Sequence, residues 1–128
     1  MWTYQEKPFI EDMAEGFVGF VYLITNKTNG KKYIGKKLFS KAKTYQKNNR
    51  KRRTRVKSDW EIYTGSNALL NEDIKQGDEI EKEILHLCKS KGWASYYETL
   101  EILQRNALQD DKYYNQWVSC KIQARHLT

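Results

Sequence analysis

The chain has 128 residues, of which 39% are hydrophobic, and it carries a formal net charge of +7. This length indicates one domain, residues 1–128, large enough to bury a core without disulfides or metals. No apolar run approaches membrane-spanning length, and residues 1–7 lack the basic-then-apolar pattern of a signal peptide. We therefore expect a cytoplasmic protein with no membrane partner.

The two cysteines, Cys88 and Cys120, are too few for a disulfide framework. We expect both to be small buried residues in a reducing compartment. A zinc site that also uses His86 and His126 is the alternative, but this spacing fits no common zinc finger.

The positive charge is concentrated in one internal stretch. Residues 16–58 contain 14 of the 23 Lys and Arg residues and no Asp or Glu, whereas the rest of the chain has 16 acids and 9 bases. Such asymmetry favours a polyanionic partner. A solvated or disordered tail is the alternative, but the stretch lies between segments that have folding signals.

The N-terminal third of the chain predicts an arm followed by a β-hairpin. Residues 1–15 form the arm, with one helical turn around residues 10–15. Residues 17–24 are apolar at odd and even positions alike, which is typical of a central strand covered on both faces. The turn formers Asn29-Gly30 then lead to a second strand over residues 32–35.

Residues 36–58 form a basic segment that has few apolar residues and no clean period, so they predict a loop or a short ragged helix. Its cations can neutralise phosphates without reading base sequence. Phe39 and Tyr45 either stack on bases or anchor the loop. A nuclear localisation signal over residues 50–55 is a further alternative. The residues predicted to bind DNA are Lys36, Lys41, Lys47, Arg50, Lys51, Arg52, Arg53, Arg55 and Lys57.

The second half of the chain predicts two helices and a strand between them. Ser66 or Asn67 can cap a helix over residues 68–76, and Gly77 can end it. Residues 79–88 fit either helix or strand, and we favour a strand at least over residues 84–88. An apolar stripe predicts a helix over residues 93–108. The tail, residues 116–128, is expected to be a short strand or an extended packed segment.

Four short motifs together resemble the GIY-YIG nuclease family. They are Phe20-Val21-Tyr22, Tyr33-Ile34-Gly35, the phage-type element Trp60-x-x-Tyr63-x-Gly65-Ser66, and Glu98 followed by Ile102 and Tyr114-Asn115. The resemblance covers residues 17–115. It implies an α+β fold (an α/β sandwich) in which a small three-stranded antiparallel sheet is flanked by helices.

The resemblance implies a DNA endonuclease of phage or mobile-element type that depends on a divalent metal, Mg²⁺ or Mn²⁺. It would leave 5′-phosphate and 3′-hydroxyl ends. Glu98 would hold the metal, Tyr22 would act as general base or relay, and Tyr33 would orient water or phosphate. Gly35 would leave room for the scissile phosphate, and Asn115 would fix the backbone or the metal shell. Alone, Glu98 also fits an ordinary surface residue.

Two further features leave alternatives open. Glu101 is the competing acid, but it can pair with Arg105 one helical turn later. The family places an arginine on a helix after the second motif, and Lys43 stands eight residues past Gly35 instead.

Lys36, Lys37 or Lys43 could take the role of this arginine, or Arg50 could reach back, and we favour Lys37 and Lys43. The missing arginine also supports a rival function, a nucleic-acid-binding domain that keeps the fold but is weakly active or inactive. A module that binds an acidic protein is the second rival.

Overall fold

The computed structural model describes all residues, 1–128, and shows a mixed α+β fold. Seven strands and two helices follow one another along the chain: β1 (Trp2–Tyr4), β2 (Lys7–Pro8), β3 (Gly19–Asn26), β4 (Lys32–Leu38), β5 (Ser40–Lys47), β6 (Arg50–Lys57), α1 (Ala68–Lys75), β7 (Ile80–Cys88) and α2 (Lys91–Gln104). Two 3₁₀ turns, Glu11–Ala14 and Ala124–Leu127, complete the elements. The predicted α+β class is confirmed.

The centre of the fold is β3, which pairs antiparallel with β4 on one side and with β7 on the other. These three strands are the predicted antiparallel sheet. The two N-terminal strands extend it to five, in the order β2-β1-β7-β3-β4. The pair β1–β7 is parallel, so the complete sheet is mixed.

The N-terminal arm is therefore part of the sheet, which its sequence did not predict. Strands of three and two residues are too short to show a period. Trp2 secures this edge, because its side chain is 2% exposed and its indole N–H donates to the carbonyl of Trp60 at 2.7 Å. The predicted helical turn over residues 10–15 is confirmed by the 3₁₀ turn at Glu11–Ala14.

Each face of β3 contributes to a separate core, because successive side chains of a strand point to opposite faces. Phe20, Tyr22 and Ile24 pack with aromatic residues and with Leu70 of α1. Val21 and Leu23 pack on the other face with α2 residues, which include Ala94 and Ile102. The central strand is thus covered on both sides, as its continuous apolar run predicted.

The basic segment differs from its prediction, because β5 and β6 form a separate two-stranded hairpin. Lys41 pairs with Val56 near the base and Lys47 with Arg50 at the tip. Asn48 and Asn49 both have positive φ values, 53° and 60°, which suits the turn between the strands. Nearly all its side chains are exposed, so no apolar alternation was available to predict these strands.

The remaining elements agree with the predictions in type and differ at their ends. Asn67 caps α1 by accepting from the N–H of Leu70, and β7 begins at Ile80, earlier than the predicted core of that strand. The second helix begins two residues before its prediction and ends four before it, and Asn106 follows with φ 56°. The tail forms a 3₁₀ turn and no strand.

Both cysteines are free, and their environments differ. Cys88 is buried as expected, whereas Cys120 is exposed, so that part of the prediction is wrong.

Neither helix is long and apolar enough to cross a membrane.

Candidate nuclease active site

A cavity of about 360 Å³ lies at the β4 edge of the sheet, where side chains from the two faces meet. We call it the Glu98 cavity, after the single acidic side chain in its lining. It is lined by Tyr22, Tyr33, Gly35, Lys36, Ser66, Glu98, Trp117 and Ser119. All four motifs that carried the resemblance therefore contribute residues to this one cavity.

Strand pairing positions the two tyrosines. Tyr22 lies opposite Gly35, and Ile24 lies opposite Tyr33, so Tyr22 and Tyr33 are diagonal neighbours on one face. Their ring centroids are 6.2 Å apart. A Cβ atom at Gly35 would lie 2.5 Å from Cζ of Tyr22, so the glycine is required for this phenol to cross the strand.

Glu98 reaches the cavity from α2. Ser90 caps this helix by accepting from the N–H of Trp93 at 3.1 Å, and Ile102, one turn beyond Glu98, is 3% exposed and packs on the sheet. Burial raises the pKa of Glu98, and the charge of Lys36 and a backbone hydrogen bond from that residue oppose the rise. Glu98 forms no ion pair, unlike Glu101 on the same helix.

The surroundings of the two phenols raise their pKa values. Burial raises the pKa of Tyr22 well above its ordinary value of 10.0, and Tyr33, Tyr63 and Glu98 raise it further. Burial also raises the pKa of Tyr33, partly offset by a hydrogen bond with Ser66. Both phenols are therefore protonated near neutral pH and can donate a hydrogen bond.

Of the three lysines considered for the missing arginine, Lys36 is the one that lines the cavity. Its Nζ donates to Oγ of Ser95 at 2.6 Å. Lys37 points elsewhere: its Nζ pairs with Asp59 at 2.7 Å and lies 4.0 Å from the ring centroid of Tyr63. Lys43 lies on the hairpin opposite Thr54 and is exposed.

Asn115 fixes the backbone beside the cavity. Its side chain accepts from the N–H of Ile34 at 3.0 Å and donates to the carbonyl of Ile34 at 2.9 Å, as a neighbouring strand would. Tyr114 continues this contact by donating its N–H to the carbonyl of Lys32. Hydrogen bonds from Tyr114 and Asn115 therefore fix the edge of β4 as far as Ile34, the residue before Gly35.

Two cavity residues, Trp117 and Ser119, were not among the predicted site residues. Both belong to the tail, which has no periodic pattern that could place them. The indole of Trp117 is 75% exposed, contrary to the packed segment we expected. The only signal that distinguishes Trp117 is the exposure of its large aromatic side chain, and this exposure can be seen only in the folded structure.

The structural role expected for Glu101 is present. Its carboxylate accepts from Nε of Arg105 at 2.8 Å and contacts Nε2 of His86 at 2.8 Å. Burial alone would raise the pKa of Glu101, but the hydrogen bonds with Arg105 and His86 outweigh burial and hold the pKa below its ordinary value. Glu101 is therefore engaged by Arg105 and His86 and does not line the Glu98 cavity.

The predicted DNA-binding residues divide into three groups. Lys36 lies in the Glu98 cavity. Lys57 forms ion pairs with Glu11 and Glu61 at the base of the hairpin. The others are exposed on the two hairpin strands and form no ion pair: Lys41, Lys47, Arg50, Lys51, Arg52, Arg53 and Arg55.

Comparison with known families agrees with the geometry. The family model described as "Putative endonuclease segE, GIY-YIG domain" matches residues 2–118. The match covers most of the chain and includes every residue that lines the Glu98 cavity except Ser119. The protein therefore belongs to this GIY-YIG family. No curated protein and no solved structure matches the chain.

Proposed function

We propose that the protein is a DNA endonuclease that depends on a divalent metal and hydrolyses phosphodiester bonds to 5′-phosphate and 3′-hydroxyl ends. The observation that carries the proposal is the Glu98 cavity, where one carboxylate, two phenols and one lysine converge beside an exposed strand edge. Family membership supports the nuclease class. The product ends and the metal requirement follow from the family resemblance.

The residues of the cavity fit a hard divalent cation that keeps most of its water. Glu98 offers one carboxylate without an ion-pair partner, and hydroxyl groups of Ser66 and Ser119 line the same space. Mg²⁺ is commonly bound through one or two carboxylates together with substrate phosphate oxygens, and Mn²⁺ takes similar oxygen ligands. Such an ion would neutralise charge on the phosphate and lower the pKa of a bound water.

The other side chains of the cavity orient and stabilise the reacting groups. Tyr22 is buried and protonated, which favours the relay over the general base of its two expected roles. Tyr33, which also lines the cavity, orients water or phosphate, and Asn115 holds the backbone between Tyr33 and Gly35. The two tyrosines lie on paired strands and Asn115 is hydrogen-bonded to β4, so little reorganisation is needed when charge develops.

We assign the phosphate-contacting cation to Lys36, ahead of Lys37 and Lys43. Lys36 shares the cavity with Glu98, whereas the ammonium of Lys37 is committed to Asp59 and Tyr63. A lysine supplies the positive charge without the bidentate fork of an arginine. Phosphate binding at this position is therefore expected to be less directional than in relatives with arginine.

The hairpin supplies the sequence-independent affinity for DNA. Its unpaired cations stand on exposed strands that project from the body, where they can approach a phosphate backbone. Phosphate contacts alone read no base sequence, so we propose that target choice comes from other contacts of this segment, from the termini or from a partner. Action on DNA in the cytoplasm of a bacterial cell, as a phage or mobile-element nuclease, completes the proposal.

Cleavage of supercoiled plasmid with Mg²⁺ tests the function. Wild type should cut, and both EDTA and Glu98→Gln should abolish cutting while DNA binding persists in a gel-shift assay. Glu101→Gln, a matched change on the same helix, should still cut at a temperature where it is folded. A wild-type protein that binds DNA but cuts no plasmid with Mg²⁺ or Mn²⁺ would contradict the proposal and favour the inactive DNA-binding domain.

A further inference from the structure

A second cavity, of about 580 Å³, lies between the base of the hairpin and the first turns of α2. We call it the cation cleft. Its lining has five cations and no Asp or Glu; the cations are Lys36, Lys37, Lys41, Arg55 and Lys91. Four of them belong to the basic segment, residues 36–58, whereas Lys91 comes from α2, on the other wall of the cleft.

Most of this charge has no partner in the protein. Among the five cations only Lys37 forms an ion pair, with Asp59. Arg55 is instead held in place by neutral oxygens, because its Nε and Nη2 donate to Oγ and the carbonyl of Ser40, each at 2.8 Å. Unpaired like charges in one concave site destabilise the compact state, and low-dielectric walls focus their field on an anion.

The cation cleft is continuous with the proposed active site through Lys36, which lines both cavities. On its other side the cleft leads into a shallow hollow that again has no acidic residue. This hollow shares Arg55 and Lys91 with the cleft and adds Lys89 and Lys121. A cationic path without carboxylates therefore runs from the Glu98 cavity across the base of the hairpin to the beginning of α2.

We propose that the cation cleft binds the phosphodiester backbone of the DNA strand on one side of the scissile phosphate, with Lys91 and Arg55 on opposite walls. The proposal rests on the proposed nuclease function and makes it more specific. It adds a contact outside residues 16–58, at Lys91. A strand held on both walls would be oriented as it enters the Glu98 cavity, which the hairpin alone could not achieve.

Salt-dependent binding of a labelled duplex of mixed sequence tests the cleft in EDTA, where no cutting occurs. Each phosphate contact adds about 0.9 to the slope of log K against log salt for B-DNA. Lys91→Gln should therefore reduce the slope by about 0.9 and weaken binding about eightfold at 0.1 M salt. Lys91→Gln combined with Arg55→Gln should reduce the slope by about 1.8.

Lys75→Gln is the matched control, because Lys75 is exposed on α1 and lines neither the Glu98 cavity nor the cleft. It removes the same charge and should leave the slope within error of wild type. If Lys91→Gln behaves like Lys75→Gln, only the hairpin binds the backbone and the cleft proposal fails. Circular dichroism of each variant verifies the fold, since all three side chains are exposed.

The binding assay separates this proposal from the proposed function. If the protein shows the expected slopes in EDTA but never cuts DNA with a metal, the proposed nuclease function fails and DNA binding by the cation cleft is supported. If the protein cuts DNA and Lys91→Gln leaves the salt slope unchanged, DNA binding by the cation cleft is refuted and the proposed nuclease function stands.

Discussion

Replacement of Gly35 by alanine tests whether the site depends on the close crossing of Tyr22 over β4. The new Cβ would lie 2.5 Å from Cζ of Tyr22 and closer still to its Oη. Tyr22 is 1% exposed, and its ring packs against Trp2 and Tyr63, with centroid distances of 5.3 Å and 6.1 Å. The two neighbouring rings therefore limit how far the phenol can move, although it borders the Glu98 cavity.

The expected loss of unfolding free energy in Gly35→Ala follows from this confinement. Overpacking a well-packed core costs about 1–3 kcal/mol, and a rigid ring between two other rings places Gly35→Ala in the upper part, about 2–3 kcal/mol. For 128 residues with an unfolding entropy of about 2.1 cal/mol/K per residue, this lowers Tm by about 7–11 °C. Urea unfolding at fixed pH measures the same free energy from the shift of the midpoint.

Two Tyr22 backgrounds give this prediction its control. Tyr22→Phe removes only the oxygen, so Gly35→Ala should remain costly there, though less than in wild type. Tyr22→Leu removes both close atoms, so the added methyl should cost almost nothing, and the coupling energy should reach about 2 kcal/mol. A cost below about 0.5 kcal/mol in wild type, or an equal cost in all three backgrounds, would refute the steric explanation.

Two further predictions concern pH. Glu101→Gln should lower the unfolding free energy by about 1 kcal/mol near pH 7, since its salt bridge to Arg105 is partly exposed. Because folding lowers the pKa of Glu101 from its ordinary 4.5, this difference should disappear as pH falls through the folded pKa, as measured by urea unfolding at a series of pH values. Burial lowers the pKa of Lys82 to about 8. The unfolded chain therefore holds this proton to higher pH, so wild type should gain on the order of 2 kcal/mol relative to Lys82→Met between pH 7 and 9.5. Parallel pH profiles of the two proteins would contradict the burial of this charge.

The central sheet and the motif residues were accessible from the sequence because their signals are local. The run over residues 17–24 is apolar at odd and even positions alike, and within it Phe20, Tyr22 and Ile24 meet one core and Val21 and Leu23 the other. Tyr22, Tyr33 and Glu98 were predicted as site residues from motif resemblance, and the structure places them around one cavity. Their catalytic roles stay predictions.

One physical reason explains why the hairpin was not predicted and why Lys37 and Lys43 were favoured over Lys36. Strand prediction relies on apolar alternation, and an exposed ribbon with cations on both faces has none. Placement of the cation by analogy with a helix then favoured Lys43, eight residues past Gly35. On an extended strand the side chain next to Gly35 points to the α2 face, which brings Lys36 to the cavity.

The two ends of the basic hairpin are joined to each other by hydrogen bonds where the hairpin leaves the body of the protein. Ser58 donates its N–H to the carbonyl of Phe39 at 2.9 Å and its hydroxyl to the carbonyl of Leu38 at 2.7 Å. Phe39 packs against the aromatic core, while the strands beyond it bury almost nothing. The segment between these anchors can therefore be exchanged for another hairpin without rebuilding the two cores. The hairpin and the Glu98 cavity are thus structurally separable, which makes residues 40–57 the natural position at which to graft a different binding segment.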